Sequence, residues 1–200
     1  MGFNICYVAS KATPEEIVSA FDLTVSMETD EMPETALWLT TLNSDWTILW
    51  SEDEGFGQKK IDQIKSLSFA YNTYLCVVNE TVMSSSCEFW SNGKSIWSVW
   101  HIGDGSDVSD KSVFNLSSSG SLPANFEQIK SQHIAKQETG DKKVDLIFEV
   151  PLELAKAEIG FRHEQYLRSG TDVEKFLIAE HFDANPPLGF FSRLFGKRST

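Results

Sequence analysis

The chain is predicted to fold as α+β, with an antiparallel-dominated sheet of six to eight strands and four or five helices packed against it. Three observations lead there. Thr73–Ile102 reads as consecutive strands, the last two joined by Asn92-Gly93, the dipeptide favoured in a two-residue hairpin turn. Thr13-Pro14-Glu15-Glu16 follows a strand-like run and carries an N-cap, a proline at the first helical position and a glutamate three residues past the cap. Ile61, Ile64 and Leu67 recur at helical spacing between two further strand-like runs.

Taken in order, Phe3–Ala9 is a strand and the first helix runs from Pro14 to about Leu23. Glu28–Glu34 is an acidic loop. Ala36–Leu42 and Trp46–Trp50 are strands, Ser51–Gly57 a polar turn and Gln58–Ser68 the second helix. The first hundred residues thus read β-α-β-β-α-β-β-β. His101–Leu122 is rich in Gly, Ser and Asp and reads as loop, with a short strand at Val113–Leu116. A third helix opens near Pro123 and carries Phe126, Ile129, His133 and Ile134 on one side. Thr139–Lys143 is a charged turn, and Val144–Val150 alternates as a strand. Pro151 starts a helix that runs to Ile159, with Gly160 as its stop. Thr171-Asp172-Val173-Glu174 is a second capping box, launching a helix with Val173, Phe176, Leu177 and Glu180 on one stripe. One domain over 1–183 and a basic, aromatic tail over 184–200 follow.

A two-residue turn at Asn92-Gly93 pairs Ser91 with Lys94 and fixes which side chains share a face. Phe89, Ile96, Cys87, Ser98, Ser85 and Trp100 then form the core face. Trp90, Glu88, Trp97, Ser86, Val99, Ser84 and His101 form an amphipathic second face. That register sets Cys87 and His101 on opposite faces, which excludes a thiol–imidazole pair. It also separates Glu88 from His101 by about 13 Å along the sheet, too far for direct proton transfer.

Composition narrows the classes of function. The 200 residues carry a formal charge of −12, and 41% are hydrophobic. A strongly acidic chain is unsuited to nonspecific nucleic-acid binding, and suits a basic partner drawn in by long-range attraction. No run of about 18 apolar residues occurs, so no membrane-spanning helix is expected. The start lacks a basic leader, and the three cysteines, Cys6, Cys76 and Cys87, read as buried thiols; both point to the cytoplasm. The tail from Pro186 holds three basic residues and no acid, so the remainder carries −15, which opposes its contact with an anionic bilayer.

No metal or cofactor is expected. His101, His133, His163 and His181 form neither HxxxH nor HExxH, and GDGSDVSD lacks calcium-loop spacing. The chain has no phosphate-cradling or nucleophile-elbow motif.

CVVNETVMSSSCEFWSNGKSIWSVWH (Cys76–His101) and VDLIFEVPLELAKAEIGFRHE (Val144–Glu164) together resemble a family of uncharacterised bacterial proteins, and the opening YVASKATPEEIVSAFDL is similar to that family's start. The resemblance implies no activity, ligand or catalytic residue. It marks Glu80, Trp97, His101, Arg162, His163 and Glu164 as polar or aromatic groups to test. The leading expectation is a non-enzymatic cytoplasmic interaction protein. It would present acids and tryptophans, with Trp90, Trp97, His101, Arg162 and Glu164 as binding candidates, to a basic partner such as the toxin of an immunity-type inhibitor. The alternative is a small-molecule binding protein or hydrolase with a pocket near Arg162-His163-Glu164. There Arg162 would hold an anion and His163 would act as acid or base; Glu80 is a separate catalytic candidate.

Overall fold

A computed structural model describes residues 2–103, 115–140, 144–164 and 173–181. Its strands are β1 (Asn4–Ser10), β2 (Leu23–Thr29), β3 (Leu37–Leu42), β4 (Thr47–Ser51), β5 (Thr73–Asn79), β6 (Ser84–Ser91), β7 (Lys94–Ile102), β8 (Leu116–Gly120) and β9 (Val173–His181). Its helices are α1 (Pro14–Ala20), α2 (Phe56–Lys59), α3 (Ile61–Leu67), α4 (Phe126–Thr139) and α5 (Glu149–Ile159). The described strands join in one nine-stranded sheet, ordered β2-β9-β3-β4-β1-β5-β6-β7-β8, one strand beyond the expected range. Every pairing is antiparallel.

Both faces of the sheet are covered, which explains why the central strand reads Ile-Cys-Tyr-Val-Ala without polar alternation. Tyr7, Trp38, Trp50, Cys76 and Trp97 pack beneath α4 and α5. Cys6, Val8, Leu39, Leu49 and Leu75 pack with Ile17, Phe21, Phe56 and Ile64 on the other face. The α1 capping box forms as expected: Thr13 Oγ1 accepts from Glu16 N–H, and Glu16 Oε2 accepts from Thr13 N–H at 2.8 Å. Gly160 ends α5 at φ 76°.

Several readings change, among them β8, which covers Leu116–Gly120 where a loop with a short strand at Val113–Leu116 was expected. Leu23–Thr29 is an edge strand where a helix end and an acidic loop were expected; only Leu23 along it is buried, so its sequence carries little apolar signal. The second helix breaks at Lys60 into α2 and α3. Val144–Val150 is not a strand: Ile147 and Phe148 form a turn that leads straight into α5. Val173–His181 is not a helix but β9, hydrogen-bonded on both sides, to β2 and to β3. Two backbone ladders outweigh the helical spacing of Val173, Phe176, Leu177 and Glu180. The Thr171-Asp172 cap, the loop over 104–114 and the tail lie outside the described residues.

The hairpin turn is as expected, with Asn92 at φ 52° and Gly93 at φ 71°. Ser91 pairs with Lys94 and Trp90 with Ser95, but Phe89 then pairs with Trp97, so Ile96 is an unpaired bulge residue. A one-residue slip turns every later side chain of β7 over. Trp97, Val99 and His101 therefore point inward beside Cys87 and Ser85, at 4%, 0% and 2% exposure, instead of forming an amphipathic outer face. Cys87 and His101 share a face after all, yet Cys87 sulfur contacts Cys76 at 3.6 Å and His101 turns to Asp145. The facing of Glu88 is corrected as well: it pairs with Ser98, on the face away from His101.

The bulge leans on Gly120. Ile96 C=O accepts the Ser121 N–H at 3.0 Å, and a Cβ at Gly120, whose φ is +83°, would lie 2.1 Å from that oxygen. Gly120→Ala is expected to cost about 1–3 kcal/mol through strain at a left-handed position. Trp97→Ala should cost about 3–5 kcal/mol as a large core truncation. Lys94→Ala, an exposed change on the same strand, should stay within about 0.5 kcal/mol. Urea unfolding of the three variants measures all of this.

Candidate functional site

The inward turn of β7 brings His101 to the start of α5. Its Nε2 meets Asp145 Oδ2 at 2.7 Å, while Asp145 Oδ1 accepts the N–H of Ile147 at 3.1 Å and of Phe148 at 3.3 Å. Ser85, the register partner of His101, donates its hydroxyl to Phe148 C=O at 2.6 Å. Serine, histidine and aspartate are thus neighbours, but Ser85 is 3% exposed and its hydroxyl is spent on a carbonyl. The group fastens the α5 turn to the sheet. Burial pushes the Asp145 carboxyl up, but the His101 bond and the Phe148 and Ile147 amides outweigh it and hold the pKa below the ordinary value.

His133, from α4, closes the same turn. Its Nδ1 donates to Leu146 C=O at 3.0 Å, and Gln137 bonds both Val144 C=O and Leu146 N–H. Burial and Lys136 press the His133 pKa below its ordinary value, against the pull of the Leu146 bond.

Beyond Gly160 the chain presents Arg162, His163 and Glu164. Arg162 reaches three carboxylates: Glu149 through Nη2, Glu153 through Nη1 at 2.6 Å, and Glu164 through Nη2 at 3.0 Å. Glu149 and Glu153 stand one turn apart on α5, so the helix itself offers Arg162 a pair of acceptors. The guanidinium is therefore occupied by the protein's own acids instead of facing an anion. Burial raises the Glu149 pKa; Arg162 opposes that, and Glu164 and Glu153 reinforce it.

His163 turns the other way. Its side chain is fully buried, with Nε2 3.2 Å from Glu80 Oε1 and its ring edge-on to Phe3 at 5.1 Å. Glu80 Oε2 accepts the Phe3 N–H at 2.8 Å, and Glu80 N–H in turn bonds Phe3 C=O. Among the described residues, the buried Nδ1 of His163 has no partner. Burial lowers the His163 pKa, opposed by Glu80 and Glu164.

The sequence-marked residues thus fall in three places. Glu80, Arg162, His163 and Glu164 converge. His101 stands apart with Asp145. Trp97 is in the core rather than on an open surface, and Trp90 is half-buried against the α1–α3 face. Asp145, Glu149 and Glu153 were missed, because a strand reading of Val144–Val150 hid the helical spacing that pairs the two glutamates. Compared with family models, curated proteins and solved structures, the chain finds no match.

A separate pair of adjoining concavities follows β2 and β9. One, of about 340 Å³, is lined by Met27, Glu31, Met32 and Glu34; the other, of about 400 Å³, by Asp53, Phe56, Glu180 and His181. Both share Thr35 and Ile178.

Arg162→Ala strands three acids in a half-shielded setting and is expected to cost roughly 3 kcal/mol, with Arg162→Lys recovering only part. The pH response has two windows. His133 holds its proton less tightly folded than unfolded, so its contribution is full above about pH 6.5 and falls as the pH drops below that. Asp145 follows the same sign at lower pH: its contribution is full above about pH 4 and is lost as the pH falls through its lowered folded value. Urea midpoints measured across pH should decline in both windows. His133→Gln should reduce the upper decline and Asp145→Asn the lower.

Proposed function

We propose that this chain is a non-catalytic interaction protein whose acidic groove along β2 and β9 receives a basic segment of a partner protein. The observation that carries the reading is the groove itself. Exposed acids, Glu31, Glu34 and Glu180, together with Asp53, which pairs with Lys59 at 2.6 Å, stand over Met32, Phe56 and Ile178. Carboxylates in water attract and orient a cationic segment, while methionine and phenylalanine adapt to its aliphatic stems. The flanking β2 is an edge strand with Val25 and Met27 exposed, at 43% and 54%. The net charge of −12 adds long-range steering toward a basic surface.

A cytoplasmic setting belongs to the same reading. Among the described residues no helix is long and apolar enough to cross a membrane, and Cys6, Cys76 and Cys87 are free and buried. Burial pushes the Cys6 thiol up to about 12, so it sits in the groove-side core as an apolar filler. An immunity-type inhibitor that neutralises a basic toxin is one member of this class, by analogy of size and acidity.

Selection from a random displayed-peptide library on the immobilised chain tests the reading. Lys- and Arg-rich peptides should be enriched, and their binding should weaken when salt is raised from about 50 to about 500 mM. Glu31→Lys with Glu34→Lys should reduce their affinity by roughly tenfold or more. Glu127→Lys, on exposed α4, should leave it within about twofold. Enrichment of neutral or acidic peptides, or indifference to the Glu31/Glu34 pair, would sink the proposal.

A further inference from the structure

Glu80, His163 and Glu164 each offer one ligand atom, and these atoms all lie within 4.8 Å of one another. The geometry points to a divalent transition-metal site formed by these three side chains, separate from the groove. Three features carry it. First, His163 Nε2 and Glu80 Oε1 are 3.2 Å apart, the separation that two ligands take on one cation when each bond is about 2.0–2.2 Å. Second, both groups are held in place before any cation arrives. The imidazole is fully buried edge-on to Phe3, and the Phe3 N–H fixes the second oxygen of Glu80. Third, among the described residues the neighbourhood has a surplus of negative charge: Glu149, Glu153 and Glu164 share the guanidinium of Arg162, and Glu80 lies beside Glu164 and His163. A divalent cation answers that surplus.

Glu164 is the ligand that must close in. Its side chain is 49% exposed and, among the described residues, is held by Arg162 alone, which keeps Glu149 and Glu153 when Glu164 swings. The cation takes the place of the proton at Nε2 that bridges to Glu80, and the neutral ring shifts to the tautomer with its one proton on Nδ1. Among the described residues that nitrogen has no acceptor, which makes the site weaker than one whose histidine is anchored from behind. One imidazole and two carboxylates suit zinc, cobalt or manganese better than calcium or magnesium, which prefer all-oxygen shells. The remaining positions are left to water.

Titration of the full-length chain with cobalt chloride, followed by visible absorption and competed with zinc chloride, tests the site. One cation per chain is expected. His163→Gln and Glu80→Gln should each weaken binding by roughly tenfold or more, and Glu127→Gln should not. Wild-type imidazole NMR guards against variants that fail to fold: zinc should move the His163 Nε2 resonance and leave those of His101 and His133 in place. An unmoved His163 resonance, or cobalt binding that survives His163→Gln in a folded protein, overturns the site. Because Glu31 and Glu34 take no part in it, their variants should bind cobalt normally, so the metal site and the groove fail independently.

Discussion

A single unpaired residue, Ile96, aims the whole second half of the sheet. Without that bulge, β7 would send Ile96, Ser98 and Trp100 inward and expose Trp97, Val99 and His101 to the opposite face. With it, Trp97 fills the core beneath α4 and α5, and His101 reaches Asp145. Asp145 in turn caps the turn that starts α5. The direction of α5 then decides where Glu149 and Glu153 stand, and so where Arg162 is caught. His163 next along the chain is thereby driven toward Glu80 and the chain start. The local cause is a close backbone approach: Gly120 on β8 leaves room for the bulge carbonyl that any side chain would block.

The electrostatics divide along the same line. Around Arg162 the carboxylates are partly withdrawn from water, and each must find a cation or a hydrogen-bond donor. Glu149 bears the strain of this crowding, its pKa raised by burial and by its acidic neighbours despite Arg162. Along β2 and β9 the acids remain in water, where repulsion is screened and costs little. One set is engaged by Arg162 and His163; of the other, Glu31, Glu34 and Glu180 stay exposed while Asp53 pairs with Lys59. Net charge alone draws no such distinction.

Much of the architecture was legible in the sequence. Thr13-Pro14-Glu15-Glu16, Asn92-Gly93 and the α5 stop at Gly160 all act as local chemistry dictates. The reading failed where a distant strand made the decision. β9 has a helical stripe, but it lies between β2 and β3, two elements more than a hundred residues earlier. β2 has almost no buried side chains to betray it. The bulge is likewise invisible from β6 and β7, because its cause sits at Gly120. Of the site, Glu80, Arg162, His163 and Glu164 could be marked as polar residues worth testing, yet their roles could not be assigned. Of Arg162's acceptors, Glu149 lay in a supposed strand, so its helical spacing from Glu153 was hidden.

The separation of these two acidic regions argues for two different uses. A buried imidazole with one carboxylate already at ligand distance favours a small, dense charge, since a large partner could not reach His163 past Phe3 and Glu80. The open groove favours the reverse. Its acids are solvated and spread along two adjoining hollows, so no single point could hold a cation tightly, whereas an extended basic segment would meet several at once. The apolar floor beneath them gives such a segment a place for its aliphatic stems, which a bare ion lacks. A fully buried imidazole beside Glu80, more than the number of acids, is what sets the proposed metal site apart from the proposed docking surface.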